Sequence, residues 1–376
     1  ITGTGNVNIG NVTPNTIGAT TGTNSIVGTS TTSGGLVVGI NTSTTGTVLI
    51  QNNTFGAMAS SGITATIAGS VAGINVSGVA ASMTITGNTI GNGTTDNMRG
   101  GTTGLTTGNS LVTGIALVSI STTCNVTNNT IQNLTSYGTG TTGRAMGVFN
   151  TGTTPGATVL NITGNTIFNI LSNCTNTTFS NAQTGVQGIM HSSGTNGVVS
   201  GNTIYNLSNT NTGTSGYTVS GIGIGNGANT KVEKNIIYGL SNASTSTTTT
   251  TPGVCAGILV RSGTTSDTIV NNMITLGAGQ TTNTAFVGIL LNHGSTPDPV
   301  SNIFYNTISI SGTVSSGSQP SFAIARTDFS ATARTAGVII KNNIFDNSRT
   351  GGTGKHYAIA NNYGAAASSA IAPCGP

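Results

Sequence analysis

Apolar residues along this chain return in one short pattern: a β-branched residue, two residues, Asn, one residue, then Ile or Phe. The Asn anchors are Asn15, Asn53, Asn88, Asn129, Asn165, Asn202, Asn235, Asn272, Asn306 and Asn343. Three positions before them stand Val12, Ile50, Ile85, Val126, Ile162, Val199, Val232, Ile269, Ile303 and Ile340. Two positions after them stand Ile17, Phe55, Ile90, Ile131, Ile167, Ile204, Ile237, Ile274, Ile308 and Phe345. The unit is roughly 36 residues long, too short to bury an apolar face alone, so it must stack on copies of itself.

Each unit also carries a Gly/Ala-Ile/Val step, running from Gly39-Ile40 and Gly73-Ile74 to Ala323-Ile324 and Ala358-Ile359. It lies far enough upstream of its anchor to be a separate short strand. Runs such as Gly-Ile-Ala-Leu-Val have the two-residue period of strands, and no amphipathic helical segment is present. The pattern predicts an all-β parallel β-helix: a single domain over residues 1–376, about ten coils, three short strands per coil. The longest variable loop should lie between the Asn segment and the next Gly-Ile step, as in the Thr-rich stretch from Ser241 to Pro252. In the longest of these loops, disorder is the alternative expectation.

Stacked coils place equivalent side chains about 4.8 Å apart, so the Asn amides should bond along the stack as a ladder. Asn also tolerates the left-handed backbone of sharp turns. A second Asn position follows four residues on, at Asn92, Asn133, Asn169, Asn206 and Asn347. Between anchor and Ile lies Thr16, Thr54, Thr89, Thr130, Thr166, Thr203 and Thr307, interrupted by Ile236, Met273 and Ile344. Strand alternation turns this column outward. The next outward column reads Gly18, Gly56, Gly91, Gln132, Phe168, Tyr205, Tyr238, Thr275.

Composition supports a hydrated, charge-poor surface: 4% charged residues, 57 Gly, no Trp, and much Thr, Ser and Asn. The first 230 residues hold only Asp96, Arg99 and Arg144 as charges. A net charge of +4 would raise nucleic acid as a partner. The basic residues are spread thinly and lack an aromatic platform, so no nucleic-acid partner is expected. No apolar run is long enough to span a bilayer. With no initiator Met, no signal peptide and no evident cap, the expectation is a processed piece of a longer secreted chain, or a subunit whose ends are covered.

Segments such as Ile162-Thr-Gly-Asn-Thr-Ile-Phe-Asn169, Tyr305-Asn-Thr-Ile-Ser-Ile-Ser-Gly312 and Lys341-Asn-Asn-Ile-Phe-Asp-Asn-Ser348 resemble right-handed parallel β-helix repeats. They are most similar to the Thr/Asn/Gly-rich β-strand-repeat surface proteins secreted by Bacteroidetes. That resemblance implies an extracellular or cell-surface location and an adhesin or surface-fibre role.

Parallel β-helices also host lyases and hydrolases, so the fold does not settle activity. Glycosidases need paired carboxylates, and Ca-dependent lyases need clustered acidic oxygens with a basic residue. The six acidic residues are Asp96, Glu233, Asp267, Asp298, Asp328 and Asp346. Glu233, Asp267 and Asp298 stand two, five and eight residues before their anchors, so they do not stack on one face. No enzymatic activity, cofactor or metal is expected. His191, His293 and His356 read as scattered surface histidines rather than ligands. Cys124 falls in the core column with Val48, Met83, Leu160 and Val338, while Cys174 and Cys255 fall in or beside loops and Cys374 in the tail. A Cys124–Cys174 bridge is one open pairing.

Two classes of function compete. The first is a structural or adhesive surface protein that self-associates end to end, or continues into a longer chain, through exposed strand edges. The second is a ligand-binding face. Ice binding needs flat paired ranks of Thr, which the interrupted column does not supply. Phe168, Tyr205 and Tyr238 form a candidate glycan-stacking strip, against which stands a plain aromatic ladder that stabilises its sheet.

Overall fold

In the computed structural model the chain is a parallel β-solenoid with about 36 residues per turn. The structure describes residues 1–32, 35–62, 68–105, 107–119, 123–150, 159–177, 183–192, 194, 196–225, 229–261, 267–292, 300–327 and 337–361. No helix occurs among them. His293, Asp298, Asp328 and Cys374, named above, lie outside the described residues.

Three long parallel sheets of 11, 10 and 13 strands run along the stack, with a two-stranded ribbon beside them. The first sheet carries the Gly-Ile steps, as in Val186–His191 and Thr218–Ile224. The second ends just before the Asn anchors, as in Val159–Thr163, and the third follows them, as in Thr166–Ser172. In the third sheet, early coils break this last strand in two. Thr89–Ile90 and Met98–Gly100 are separate, yet both pair with the continuous Thr130–Ser136 of the next coil.

All three apolar columns point inward. Ile74, Ile115, Ile189 and Ile258 of the first sheet are buried, as are Ile85, Ile162 and Ile269 of the second and Ile131, Ile167 and Ile274 of the third. The Gly of each Gly-Ile step is needed for space. A Cβ on Gly188 would stand 2.6 Å from the Ile204 side chain and 2.6 Å from the Gly221 carbonyl, and the same contacts recur along the column. Register skips this residue, pairing Gln187 with Ser220 and Ile189 with Ile222. It is therefore a bend at which the first sheet turns around the core.

Three expectations need correction here. Val12 does not join its column: it is 93% exposed, and Ile9 pairs with Ile50 in its place. The chain takes three extra residues to reach Asn15, and Pro14 stands just before that anchor. Of the ten coils expected, about eight enclose a fully buried core. The outermost turns, with Ile9 and Ile17 at one end and Val338, Ile340 and Phe345 at the other, are only partly buried. The Thr-rich loop from Ser241 to Pro252 is packed and hydrogen-bonded against the stack. Ser244 and Ser246 are buried, and the Ser246 hydroxyl donates to the Thr251 carbonyl at 2.8 Å. Gln319, two coils away, donates to the carbonyls of Ser246 and Thr248.

The outer face of the first sheet is also sealed in the later coils. Val254, Ala256, Leu259, Ala285, Val287, Leu290 and Phe322 form a second buried cluster there. The strands Val254–Val260 and Ala285–Leu291 are consequently buried on both faces, which matches their unbroken apolar sequence.

Candidate functional site

The Asn anchors form one continuous ladder from Asn15 to Asn343. Each side-chain Nδ2 donates to the Oδ1 of the anchor one coil on, at 2.8 Å for Asn15 to Asn53 and 2.9 Å for Asn165 to Asn202. The backbone N–H of the same residue donates to the same oxygen, as from Asn165 to Asn202 at 2.9 Å. Nδ2 reaches backwards as well, from Asn165 to the Val126 carbonyl at 3.0 Å. One amide thus ties three coils. The rungs have a direction: donors face the C-terminal side and the accepting Oδ1 faces the N-terminal side.

The left-handed residue is not the anchor but its predecessor. Asn52, Gly87, Asn128, Gly164, Gly201, Lys234, Asn271, Tyr305 and Asn342 all have φ between 55° and 66°. Gly and Asn accept that conformation readily, whereas Lys234 and Tyr305 hold it at a steric cost. The second Asn position is left-handed at Asn133, Asn169 and Asn206. There Asn169 donates to Asn133, and Asn206 to Asn169, at 3.2 and 3.3 Å. That short ladder runs opposite to the main one.

The third sheet's outer face carries Phe168, Tyr205 and Tyr238 in register on successive coils. Their rings lie 4.7 and 4.9 Å apart and within 3° of parallel. Each inner ring face is therefore occupied by its neighbour, and the strip shows solvent mostly edges and the Tyr hydroxyls. Beside it, Ile236 and Met273 pair on adjacent coils and are 42% and 53% exposed. An apolar patch thus interrupts the Thr column where the sequence breaks it.

The four described acidic residues do not converge. Asp96 accepts from the Tyr137 hydroxyl at 2.9 Å, Glu233 pairs with Lys231 at 2.7 Å, and Asp346 accepts from Ser309. Among the described residues no three His, Cys, Asp or Glu side chains are grouped to hold a metal ion. Cys124, Cys174 and Cys255 are buried free thiols, so the Cys124–Cys174 bridge is not formed. Burial pushes the Cys124 thiol up to about 12 and raises Cys174 and Cys255 as well, leaving unreactive core thiols. Cys255 is the second residue of its strand, beside the loop that precedes it.

His191 is no surface residue. It is wholly buried, facing inward at the end of its strand, and its ring fills the space of a missing side chain at Gly197. Its strand neighbour Asn150 is equally buried. Across the corner, the second sheet's first inward column changes character. Met83, Cys124 and Leu160 give way to Gly197, Thr230, Asp267 and Ser301, before Val338 restores the apolar run. Asn150, His191, Thr230, Asp267 and Ser301 make a polar seam through an apolar core, and none is more than 1% exposed. The signal was in the sequence: Asp267 stands five residues before its anchor, where Cys124 stands in its own coil.

At the last coil a cavity of about 240 Å³ is lined by the apolar Leu291, Ile324, Val338, Ile340 and Ile359 and, on its polar side, by Arg326 and Asn361. No family model, no curated protein and no solved structure matches this chain.

Proposed function

We propose that this chain is an extracellular structural or adhesive rod, of the kind its Thr/Asn/Gly-rich repeats resemble in Bacteroidetes surface proteins, built to be continued along its axis. A second copy, or further coils of a longer polypeptide, would supply the continuation. The direction of the Asn ladder carries this reading. Asn15 Oδ1 is an exposed acceptor at one end, while Asn343 at the other end turns its Nδ2 back to the Ile303 and Lys341 carbonyls. A coil added beyond Asn343 would meet the same arrangement that every earlier junction has. The partly buried Val338, Ile340 and Phe345 offer that coil an apolar seat, with Arg326 and Asn361 at the polar side of the cavity beside it.

Electron microscopy of the purified chain over a concentration series tests this. Filaments one solenoid wide that lengthen with concentration are expected. Isolated short rods at every concentration would leave only the longer-chain form. A second reading, contact with neutral surface glycans, draws on the exposed edge of Tyr205 and Tyr238 beside Ile236 and Met273. The ring faces that a sugar would cover are mostly taken by the rings themselves, so the structural reading is preferred.

A further inference from the structure

We propose that the interior seam is a one-proton device: the folded solenoid keeps a proton on Asp267 and none on His191, so the two residues together hold stability level through the mildly acidic range. The geometry gives each residue only one comfortable state. Asp267 Oδ1 receives a single hydrogen bond, from the Thr230 N–H at 3.3 Å, and Oδ2 receives none. An ionised carboxylate there would lack both water and a cation, whereas the acid form is neutral. Neither ring nitrogen of His191 makes a hydrogen bond of good geometry, and the nearby carbonyls of Leu160 and of His191 itself offset only part of the cost of burying an imidazolium.

No charged group among the described residues compensates either site. From the strand below Asp267 the inward residue is Thr230, and Lys231 and Glu233 pair with each other at the surface. From the strand above, the facing residue is Ser301. In the same coil the preceding strand ends at Val260, followed by the half-buried Arg261. His191 faces Asn150 below and Ile224 above, with Gly197 against its ring. Burial accordingly moves the two residues in opposite directions, Asp267 from 3.8 up to about 7 and His191 from 6.5 down to about 4.

The signs then oppose each other. Asp267 has its folded value raised, so its contribution is present at low pH and is lost as pH rises from 3.8 through about 7. His191 has its folded value lowered, so its contribution is present above 6.5 and is lost as pH falls through about 4. Between about 4 and 6.5 the folded chain holds one proton, on Asp267, and the unfolded chain holds one, on His191. Equal proton counts mean no slope.

Single variants should uncover the two halves. Asn has the shape of Asp at position 267, and at position 191 Asn150 already occupies the same column one coil below. Thermal or denaturant unfolding is followed from pH 4.5 to 6, relative to the unaltered chain. In Asp267→Asn the unfolding constant should rise as pH falls, by about tenfold per pH unit for one proton. In His191→Asn it should rise by a similar factor per unit as pH increases. Parallel profiles for all three proteins would overturn the proposal. Should either variant fail to fold, carbon NMR of the unaltered chain decides instead. The Asp267 carboxyl must be protonated and the His191 ring neutral at pH 5, and an ionised Asp267 at that pH would equally overturn it.

Discussion

A buried Asn that bonds to three coils leaves several groups stranded when it is removed. Asn165→Ala would deprive the Asn129 N–H and Nδ2 of their acceptor and the Val126 carbonyl of a donor. An unmet buried polar group costs about 1–3 kcal/mol. The loss should total on the order of 3 kcal/mol, read as a shift in the urea midpoint. Tyr305 lies in the opposite direction. Its φ of 57° strains a bulky side chain that is 58% exposed and closes no core. Tyr305→Gly should stabilise by up to about 1 kcal/mol, because relief of the strain outweighs the small loss of packing and the greater freedom of Gly in the unfolded chain. The same unfolding measurement checks it, and a destabilised variant would mean that the exposed ring has an unrecognised contact. The anchors were legible because each falls at a fixed offset from two apolar residues. The left-handed residue beside them was not, because Asn occupies both positions in several coils, as at Asn52-Asn53 and Asn128-Asn129.

At the level of strands, the Gly-Ile step joins sequence to shape. Gly188→Ala would press its methyl group on Ile204 and on the Gly221 carbonyl, and the carbonyl belongs to the next rung's backbone. Overpacking of this kind costs about 1–3 kcal/mol. Amide exchange should speed up in Val186–His191 and Thr218–Ile224 before it does elsewhere, and uniform exchange would show that the bend can relax. Inward strand faces were readable from alternation alone. The sealed outer face of the first sheet was signalled only by runs such as Ala285–Leu291, in which alternation disappears. His191 escaped the sequence reading for a different reason. Its burial depends on Gly197 making room across a corner, a relation between two columns rather than within one.

For the whole rod, the nine steps of the Asn ladder at about 4.8 Å each span about 43 Å, which solution scattering can measure on dilute protein. If rods join as proposed, apolar contact and neutral hydrogen bonds hold the junction. One salt bridge, Lys231–Glu233, is seen among the described residues, and it lies at the surface of an inner coil. Raising salt from 0.1 to about 1 M should therefore leave filament length unchanged, whereas dissolution would reveal charged contacts at the ends. Fold class and the Asn ladder along the stack were legible because the pattern repeats, whereas the ladder's direction appeared only in the hydrogen bonds. What the rod touches was not legible, because any surface contact depends on the outward residues, and those vary from coil to coil.

That variation also bears on how the chain finds its own alignment. Ten nearly interchangeable rungs, 33 to 41 residues apart, allow a strand to settle against the wrong neighbour with little loss of contact. A chain of identical units would have no reference point. The interior seam and the three stacked rings occur once each among the described residues, and the last strand is split only toward the two ends of the stack. A slip by one unit would set His191 against a rung with no gap for its ring and would break the Phe168–Tyr205–Tyr238 sequence. These departures from the repeat thus act as address marks, which tell each coil its place in the count.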